Sequence, residues 1–468
     1  MQKHISRIKI ILLLGDIIII VFGIYLFWVI RTRIYVDVLT TTRIYHNVLS
    51  MNFFTNANVL SPFIYIFVFY VADIYNFKGK FFTISFLVRL AIAIIIANSI
   101  IAAGVYVLGL WEYSRLVLML NSIFVFSFMF LWRLLYEKTF QGKKVPHRIL
   151  IIGAGYTGRA LYNIMEGNKD FKIVGYLDDD KKKRGTTIGS SPVLGATNLL
   201  SSIVKEKSVD EVVVAITHGT TPELFRMIMN EKFNGVEILD MPAFYENITD
   251  KIPIYHISDR WLGYSDFSGI RKNIYNTKIK GVLDKIIAVF GVVSSFPLML
   301  VAIIAIKIDS KGSVFFKQER VGENAKIFIA LKLRTMDCGK EDERALAGYK
   351  KDPRVTKVGK IIRFFRIDEI PQLWNVMRGD MSIIGPRLLI KEEVREFSEN
   401  VPYFYLRHSV KPGITGWAQV HYKHGKEIED ATEKLQYDLF YIKNLSPVLD
   451  LHILLKTVKV VLFGRGAR

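Results

Sequence analysis

The sequence has a single cysteine, Cys338, in 468 residues. An internal disulfide therefore cannot form, which excludes a small cystine-stabilised scaffold and suits folded domains in a reducing cytoplasm. Charged residues are also scarce, at 23% of the chain against 51% hydrophobic residues. This composition excludes a chain that is mainly disordered, and it indicates segments buried in a membrane.

Acidic residues are outnumbered by basic ones, 43 to 63, so the formal net charge is +20. A chain of this charge favours anionic partners, among them lipid headgroups, phosphates, nucleotides and nucleic acid. Its length is sufficient for about three folded units that each bury a core.

The first 140 residues contain four apolar runs long enough to cross a bilayer. They are 8–30, 59–75, 81–106 and 116–135. The first run is longer than the apolar part of a cleavable signal peptide, so we expect it to be retained. We predict a transmembrane four-helix region over 1–140, with both ends on one side of the membrane. Asp16 is the only acid in the core of a run, which favours an anchor or dimerisation bundle over a transporter.

Basic residues mark the ends of these runs that we expect to face the cytoplasm. They are Lys3, Arg7, Lys9, Lys78, Lys80, Arg133, Lys138, Lys143 and Lys144. Arg31, Arg33 and Arg43 in the first outer loop reduce the asymmetry. The charge pattern predicts that the rest of the chain begins in the cytoplasm.

After these runs the pattern changes to strand, glycine turn and helix. Residues 148–152 lead into Gly153, Gly155 and Gly158 at the GxGxxG spacing, and a second strand ends at Asp178. In dinucleotide-binding domains such glycines let a pyrophosphate approach the helix N-terminus, and the acid binds a ribose hydroxyl. We predict an α/β Rossmann-like domain over 146–250, in which these four residues would form any nucleotide site.

This domain lacks a Tyr with a Lys four residues later, which a short-chain oxidoreductase or dehydratase would need. The residues four positions after Tyr156, Tyr162, Tyr176, Tyr245 and Tyr255 are Ala160, Glu166, Asp180, Thr249 and Asp259. The preferred interpretation is therefore a scaffold, an allosteric sensor or a dimer contact. Binding of NAD or another nucleotide is left open by the glycine pattern but is not expected.

Two further segments are predicted to meet the membrane. Residues 251–280 mix basic and aromatic side chains, which is typical of an interfacial linker. Nucleic-acid binders share this mixture, but the neighbouring apolar runs favour lipid, and we expect no nucleic acid as a partner. The run 281–306 would be about 39 Å long as a straight helix. Ser295 and Pro297 predict a sharp break that gives a re-entrant membrane hairpin; a kinked full span is the alternative.

Residues 307–468 are polar and carry an acidic pair, Asp368 and Glu369, before a helix start marked by Pro371. The helix dipole favours ionised carboxylates at that position. One carboxylate could attack a phosphorus atom while the other holds Mg²⁺. The cations expected to bind phosphate are Lys332, Arg334, Arg354, Arg363 and Arg387. A capped helix start with surface salt bridges is the alternative for the acids.

Three other residues of this region are not assigned to chemistry. His421 and His424 lack a third metal ligand nearby in sequence, so we expect them at the surface. Asp438 lies in an amphipathic stretch, which is typical of packing.

From the hairpin to the last residue the sequence resembles the bacterial sugar transferase family, the monotopic polyprenyl-phosphate phosphoglycosyl transferases. It is similar to the large form, which has four spans and a Rossmann-like module before a mixed α/β catalytic domain. The motifs that carry the resemblance are 332–336, 352–356, 368–373, 379–387 and 411–419. The stretches 435–445 and 462–468 look like the subgroup linked to exopolysaccharide synthesis with PEP-CTERM sorting.

The resemblance implies transfer of a sugar 1-phosphate from a UDP-sugar to polyprenyl (undecaprenyl) phosphate, with release of UMP. It implies that Asp368 is the nucleophile of a covalent aspartyl intermediate, that Glu369 binds Mg²⁺, and that Arg363 and Arg387 contact phosphates. It also implies a multi-pass protein of the bacterial inner membrane, with a cytoplasmic catalytic domain that starts exopolysaccharide synthesis. A homodimer is expected as well.

Two positions depart from the family pattern. Leu388 and Leu389 stand where many members have Pro and Glu after Arg387, and Phe296 separates Ser295 from Pro297. Two other functions stay open: a membrane-bound NAD-dependent oxidoreductase acting on sugar nucleotides, and a non-catalytic scaffold for polysaccharide enzymes. No residue pattern names the sugar.

Overall fold

A computed structural model of the chain divides into two compact units, Met1–Val145 and Pro146–Arg468. The residues that it describes are 2–39, 56–72, 74–75, 84–107, 115–140, 146–168, 170–216, 220–271, 273–337, 354–422 and 428–462. Some residues used in the sequence analysis lie outside these ranges: Arg43, Lys78, Lys80, Lys143, Lys144, Cys338, Asp352, Pro353, His424 and 463–468. The membrane orientation drawn from the loop charges therefore stays a prediction.

Within the described residues, the first unit consists of four helices, as predicted. They are α1 (Gln2–Leu39), α2 (Asn56–Val71), α3 (Ile84–Val107) and α4 (Arg115–Phe140). Three contain apolar stretches of membrane-spanning length, which are Ile11–Ile30, Phe86–Gly104 and Leu118–Tyr136. The apolar part of α2, Val59–Val71, is shorter. α1 packs on α4, and α3 packs on both α2 and α4.

Polar side chains connect the helices inside this unit. Asp16 of α1 pairs with Arg133 of α4 at 2.7 Å, and the two side chains are 0% and 1% exposed. Tyr65 of α2 donates to Asn98 of α3, which donates to Ser122 of α4. In a bilayer such groups must satisfy one another because water is absent. Arg133, which we counted as a cytoplasmic flanking residue, is thus an interior residue that neutralises Asp16.

Because this ion pair is fully buried, we expect Arg133→Met to leave an uncompensated charge and to lower stability by about 3 to 5 kcal/mol. Adding Asp16→Asn to the same chain should recover most of that loss, since no buried charge then remains. Thermal unfolding of the single and double variants in one detergent measures both effects. Equal stability of wild type and Arg133→Met would contradict the pairing.

The second unit begins with a six-stranded sheet. Its strands are β1 (His147–Ile152), β2 (Phe171–Leu177), β3 (Thr187–Ile188), β4 (Ser191–Gly195), β5 (Glu211–Val214) and β6 (Glu237–Asp240). Their spatial order is β3-β4-β2-β1-β5-β6, and all pairs are parallel except β3–β4. The helices among them are α5 (Tyr156–Met165), α6 (Leu200–Glu206), α7 (Pro222–Phe233) and α8 (Met241–Thr249).

The central strand β1 shows that this sheet is covered on both faces. Ile149 and Ile151 belong to one core with residues of α5 and α8, whereas Leu150 and Ile152 belong to another with residues of α6 and α7. Successive side chains of a strand face opposite sides, so a strand covered on both sides is apolar throughout. The predicted Rossmann-like domain is confirmed.

The remainder of the second unit combines two small sheets with helices. β7 (Phe315–Val321) pairs antiparallel with β8 (Ile327–Leu333), and β9 (Ser382–Ile384) pairs parallel with β10 (Gly413–Thr415). The helices are α9 (Asp259–Tyr264), α10 (Lys280–Asp309), α11 (Lys357–Phe364), α12 (Gln372–Arg378), α13 (Lys391–Asn400), α14 (Trp417–His421), α15 (Ile428–Asn444) and α16 (Pro447–Leu462). A 3₁₀ turn, Ile367–Glu369, connects α11 with α12.

The segment 251–280 contributes to the core of this region, and its position at the membrane surface stays a prediction. Ile252 and Ile254 are buried, and Trp261 packs against the same core. The backbone N–H groups of Ser268 and Gly269 donate to carbonyl groups in the last turn of α15. Those carbonyl groups have no partner within their own helix, which explains why the segment attaches there.

The predicted membrane hairpin is a single helix, α10, that stays helical through Pro297. The helical backbone is thus continuous at Ser295 and Pro297, and the re-entrant path stays a prediction. The hydroxyl of Ser295 donates to the carbonyl oxygen of Gly291 at 2.6 Å. This hydroxyl is thus engaged even though Phe296 separates it from the proline.

Both ends of α10 pack on the same domain. Near its start, the carboxylate of Asp284 accepts from the backbone N–H of Ile383 in β9. Near its end, Ala302 and Ile306 share a core with residues that include Ile362 of α11. The side chains between these two contacts are mostly exposed and apolar, among them Phe290, Val293, Phe296 and Val301.

Candidate active site

Asp368 and Glu369 lie on the 3₁₀ turn between α11 and α12, and Pro371 directly precedes α12. Arg366, just before this turn, has a left-handed backbone with φ 56° and ψ 24°. That conformation costs a residue with a side chain on the order of 1 kcal/mol. It lets the chain turn sharply after α11, so that the two acids lie beside β8.

A buried amide fixes α12 to β8. Asn375, which is 0% exposed, accepts from the backbone N–H of Leu331 and donates to the carbonyl oxygen of Ile329. The side chain thereby supplies the donor and acceptor that a further strand would offer to β8. The acidic turn at the start of α12 is held in place by this contact.

Glu369 is surrounded by three cationic groups. Its carboxylate lies 3.2 Å from Nζ of Lys332, 3.7 Å from Nη2 of Arg387 and 3.8 Å from Nη1 of Arg366. Burial by itself raises the pKa of a carboxyl group, but Arg387, Lys332 and Arg366 outweigh it and hold the pKa of Glu369 below its usual value. Glu369 therefore remains ionised.

Asp368 has the opposite shift, although it is the next residue. Burial and the neighbouring charge of Glu369 raise its pKa, and Lys332 and Arg363 only partly oppose them. A carboxylate of raised pKa is the more basic and more nucleophilic member of such a pair, while its neighbour stays a fixed charge. The two acids therefore suit different tasks.

The other predicted phosphate-binding residues are distributed unevenly. Lys332 and Arg387 contact Glu369, as described, and Arg363 is exposed with its Nε donating to Thr335 Oγ1 at 2.8 Å. Arg354 lies next to the same segment, where its carbonyl oxygen accepts from the backbone N–H of Asp337.

The structure does not bring Arg334 to the acids. Its guanidinium group is 6% exposed and donates to the carbonyl oxygens of Ser310 and Lys311 and to the hydroxyl of Ser310. The carbonyl groups at the end of α10 lack partners within the helix, and Arg334 satisfies them. These contacts give Arg334 a structural role, and its phosphate binding stays a prediction.

Glu369 lines a cavity of about 410 Å³, and Asp368 is the preceding residue on the same turn. Lys332, Glu369 and Arg387 line it. Charged or polar lining residues outside the predicted set are Arg320, Gln372, Glu393, Glu396, Arg407, Gln419, Tyr422, Lys434 and Asp438. Leu388 and Leu389 line it too.

Sequence reasoning missed several of these residues for identifiable reasons. No sequence pattern identifies Arg366, because its contact with Glu369 depends on its left-handed backbone conformation. Asp438 and Lys434 lie one helical turn apart on α15. A charged residue on the otherwise buried face of this helix is the sequence feature that could have identified them. Asp438 was attributed to packing. It is 1% exposed and lies 2.9 Å from Nη2 of Arg407, which is 5% exposed.

His421 is not at the surface, contrary to the prediction. It is half-buried, with Nδ1 2.9 Å from the carbonyl oxygen of Trp417 and Nε2 2.5 Å from Nζ of Lys456. Burial and Lys456 lower its pKa to about 3, so the ring is neutral. Both ring nitrogens are occupied, which leaves none for a metal.

The glycine loop of the Rossmann-like domain has the predicted backbone. Gly153 has φ +109°, and a Cβ on Gly158 would lie 2.1 Å from the Gly153 carbonyl oxygen, so both positions require glycine. Gly155 is the residue before α5. The carboxylate of Asp178, however, accepts from the backbone N–H of Ala154 and from Nζ of Lys183. These bonds engage the carboxylate predicted to bind ribose, and the role of this domain stays a prediction.

Comparison with known proteins agrees with this architecture. The family model for bacterial sugar transferases matches residues 275–464, and a model described as a CoA-binding domain matches residues 71–242. The first match contains the acidic pair and the cavity. The second contains the six-stranded sheet.

Three relatives illustrate the similarity. A UDP-N-acetylgalactosamine-undecaprenyl-phosphate N-acetylgalactosaminephosphotransferase from Aeromonas hydrophila is 41% identical over 50% of this chain and 54% of its own length. A UDP-glucose:undecaprenyl-phosphate glucose-1-phosphate transferase from Xanthomonas campestris is 30% identical over 59% of this chain and 58% of its own. One of the same description from Caulobacter vibrioides is 40% identical over 39% of this chain and 69% of its own.

The chain spans little more than half of the length of the first two relatives. It belongs to the bacterial sugar transferase family, in the large form with apolar N-terminal helices and a Rossmann-like domain.

The contacts of Arg334 predict a structural phenotype. Arg334→Met removes donors from two backbone carbonyl groups, and we expect it to lower the free energy of unfolding by about 1 to 3 kcal/mol. The exposed Arg395, which pairs with Glu399 on the surface, provides the matched control, since Arg395→Met should change this quantity by no more than about 0.5 kcal/mol. Thermal unfolding of the detergent-solubilised variants makes the comparison. A loss of stability in Arg334→Met no larger than that in Arg395→Met would overturn the assignment.

Proposed function

We propose that this protein transfers a sugar 1-phosphate from a UDP-sugar to a polyprenyl phosphate, through a covalent intermediate on Asp368. The observation that carries the proposal is the geometry of two adjacent carboxylates on one turn, of which Glu369 lines the cavity beside Lys332 and Arg387; the pKa values of the two acids, shifted in opposite directions, support it. The activities for which the Aeromonas and Xanthomonas relatives are named support the same reaction.

The chemistry divides into two displacements at one phosphorus atom. In the first, an oxygen of Asp368 bonds to the phosphorus that carries the sugar, the bond to the bridging diphosphate oxygen breaks, and UMP leaves with the electron pair. In the second, a phosphate oxygen of the polyprenyl phosphate attacks the same phosphorus. The carboxylate of Asp368 is then released, and the product is a polyprenyl diphosphate sugar. Such a division is typical of nucleophilic catalysis.

Glu369 and the surrounding cations have a separate role in this proposal. Lys332 and Arg387 lie at the cavity and can take phosphate oxygens as charge develops on the leaving group. Glu369 fits Mg²⁺, because its carboxylate stays ionised at the cavity wall and Mg²⁺ is usually held by one or two carboxylates together with substrate phosphates. When bound, the ion would neutralise diphosphate charge.

The membrane arrangement is part of the proposal. Because both ends of α10 pack on one domain, we infer that the helix bends at Pro297, enters the bilayer with its apolar middle and returns to the same face. A lipid-linked acceptor and a soluble donor can then meet at the cytoplasmic face of the bacterial inner membrane. There the product would start an exopolysaccharide. A homodimer stays a prediction.

Asp368→Asn tests the nucleophile, because the amide keeps the shape of the side chain and loses its negative charge. We expect UMP release from a panel of UDP-sugars, with Mg²⁺ and undecaprenyl phosphate, to fall by more than about 10³-fold. Without the acceptor, intact-protein mass should increase by one sugar phosphate in wild type and not in the variant.

The matched control is Asp266→Asn, an exposed acid paired with Arg271 on the surface. It should leave both readouts unchanged. Sustained turnover by Asp368→Asn would overturn the assignment of the nucleophile and would favour a non-catalytic scaffold.

Cysteine labelling tests the path of α10. In a Cys338→Ser background, Lys278→Cys and Lys311→Cys place single thiols at exposed positions beyond the two ends of α10. If the helix returns to the same face, an impermeant maleimide labels both in inverted inner-membrane vesicles and neither in intact spheroplasts. Lys326→Cys, exposed between β7 and β8, provides the control for the domain itself. Opposite labelling of the two flanking thiols would establish a full span.

A further inference from the structure

Arg387 contacts Glu369, yet it lies outside the strands β9 and β10 and is held beside them only by an isolated bridge with Gly413. β9 ends at Ile384, and Arg387 follows in the turn Gly385–Pro386–Arg387. This turn is clamped to the first residue of β10, since the N–H of Gly413 donates to the carbonyl oxygen of Pro386 at 2.9 Å. The geometry of the Arg387 side chain against Glu369 therefore depends on what fixes this turn.

A buried guanidinium group provides the second fixation. Nη2 of Arg407 donates to the carbonyl oxygen of Arg387 at 2.9 Å, and the same nitrogen lies 2.9 Å from Oδ2 of Asp438. Arg407 is 5% exposed and Asp438 is 1% exposed. A backbone carbonyl of the turn, a buried cation and a buried acid are thus linked in one series.

Burial of an ion pair is seldom explained by stability alone. Removing two charges from water carries a penalty that their attraction does not always repay, so apolar residues of the same size often serve as well. This pair lies at the wall of the cavity and bonds to the backbone of a residue that contacts Glu369. Its location favours a role in fixing the position of the turn that carries Arg387.

The helix that carries Asp438 is itself held firmly. α15 contacts the Rossmann-like domain through Gln436, which accepts from Tyr245 of α8 at 3.3 Å, and its Glu433 pairs with Lys251 in the segment that follows that domain. Lys443 near its end pairs with Glu246 of α8. Asp438 therefore projects toward the cavity from a helix that is fixed on its other side by the sheet domain.

We propose that Arg407 and Asp438 are positioning residues that hold the carbonyl of Arg387 and thereby aim its guanidinium group at the diphosphate of the donor. This role rests on the proposed function for its consequence in catalysis. The fixation of the turn by Arg407 does not depend on that function. Neither residue needs to touch the substrate for the effect to occur.

The test is a double-mutant cycle with Arg387. Asp438→Asn and Arg407→Met should each lower kcat for UMP release by about 10²-fold, the size of effect expected when a catalytic contact is misplaced by about 1 Å. Arg407→Lys keeps a charged donor and should retain more activity than Arg407→Met. In an Arg387→Met background, Asp438→Asn should cause little further loss, because the residue through which it acts is already gone.

Hydrogen exchange gives a readout that does not depend on turnover. Arg407→Lys and Asp438→Asn should increase amide exchange in peptides that cover 382–390 and 410–416, without a matching increase in the sheet domain. Arg395→Met, an exposed arginine paired with Glu399 on α13, should change neither exchange nor kcat.

The outcomes separate the two proposals. Additive losses in the cycle, together with unchanged exchange in both peptides, would overturn the positioning role. Increased exchange in a protein that releases UMP from no UDP-sugar would leave the fixation of the turn intact and would overturn the proposed function instead.

Discussion

Two adjacent carboxylates in a half-buried site repel each other and lose hydration, so both cannot be charged there without compensation. In this protein the compensation is unequal. Lys332, Arg366 and Arg387 converge on Glu369, whereas Asp368 is left with a raised pKa. Three features of the surrounding structure position these charges. They are the left-handed backbone of Arg366, the contact of Asn375 with β8, and the bonded turn that carries Arg387.

A second constraint is the low polarity of the membrane. In the first unit, Asp16 is tolerated because Arg133 faces it from another helix, and Tyr65, Asn98 and Ser122 satisfy one another across three helices. In the second unit, α10 presents exposed apolar side chains along its middle while its two ends pack on the catalytic region. Arg334 likewise satisfies polar groups of this helix, because it donates to the carbonyl groups where α10 ends.

The Rossmann-like domain acquires a structural meaning from its contacts. α8 and the segment 251–280 hold α15, and α15 carries residues of the cavity wall. The carboxylate of Asp178 accepts from the backbone N–H of Ala154 in the glycine loop and from Nζ of Lys183, so the loop is bonded within its own domain. The sequence of this domain predicts a nucleotide site. In the structure the domain supports α15, the helix that carries residues of the cavity wall.

The local patterns determined much of this protein. Apolar runs specify helices in lipid, the glycine spacing specifies the strand–turn–helix of the Rossmann-like domain, and Pro371 marks the start of α12, because each depends on backbone conformation or hydrophobicity within a short stretch. Asp368, Glu369, Lys332 and Arg387 could be selected for the same reason, since they belong to compact motifs. Only the tertiary structure decided that Arg334 serves the end of α10, that Arg133 neutralises Asp16, that 251–280 joins the core, and that Arg407 and Asp438 meet at Arg387. These pairings join residues distant in sequence, and which charges meet depends on how the helices and sheets pack.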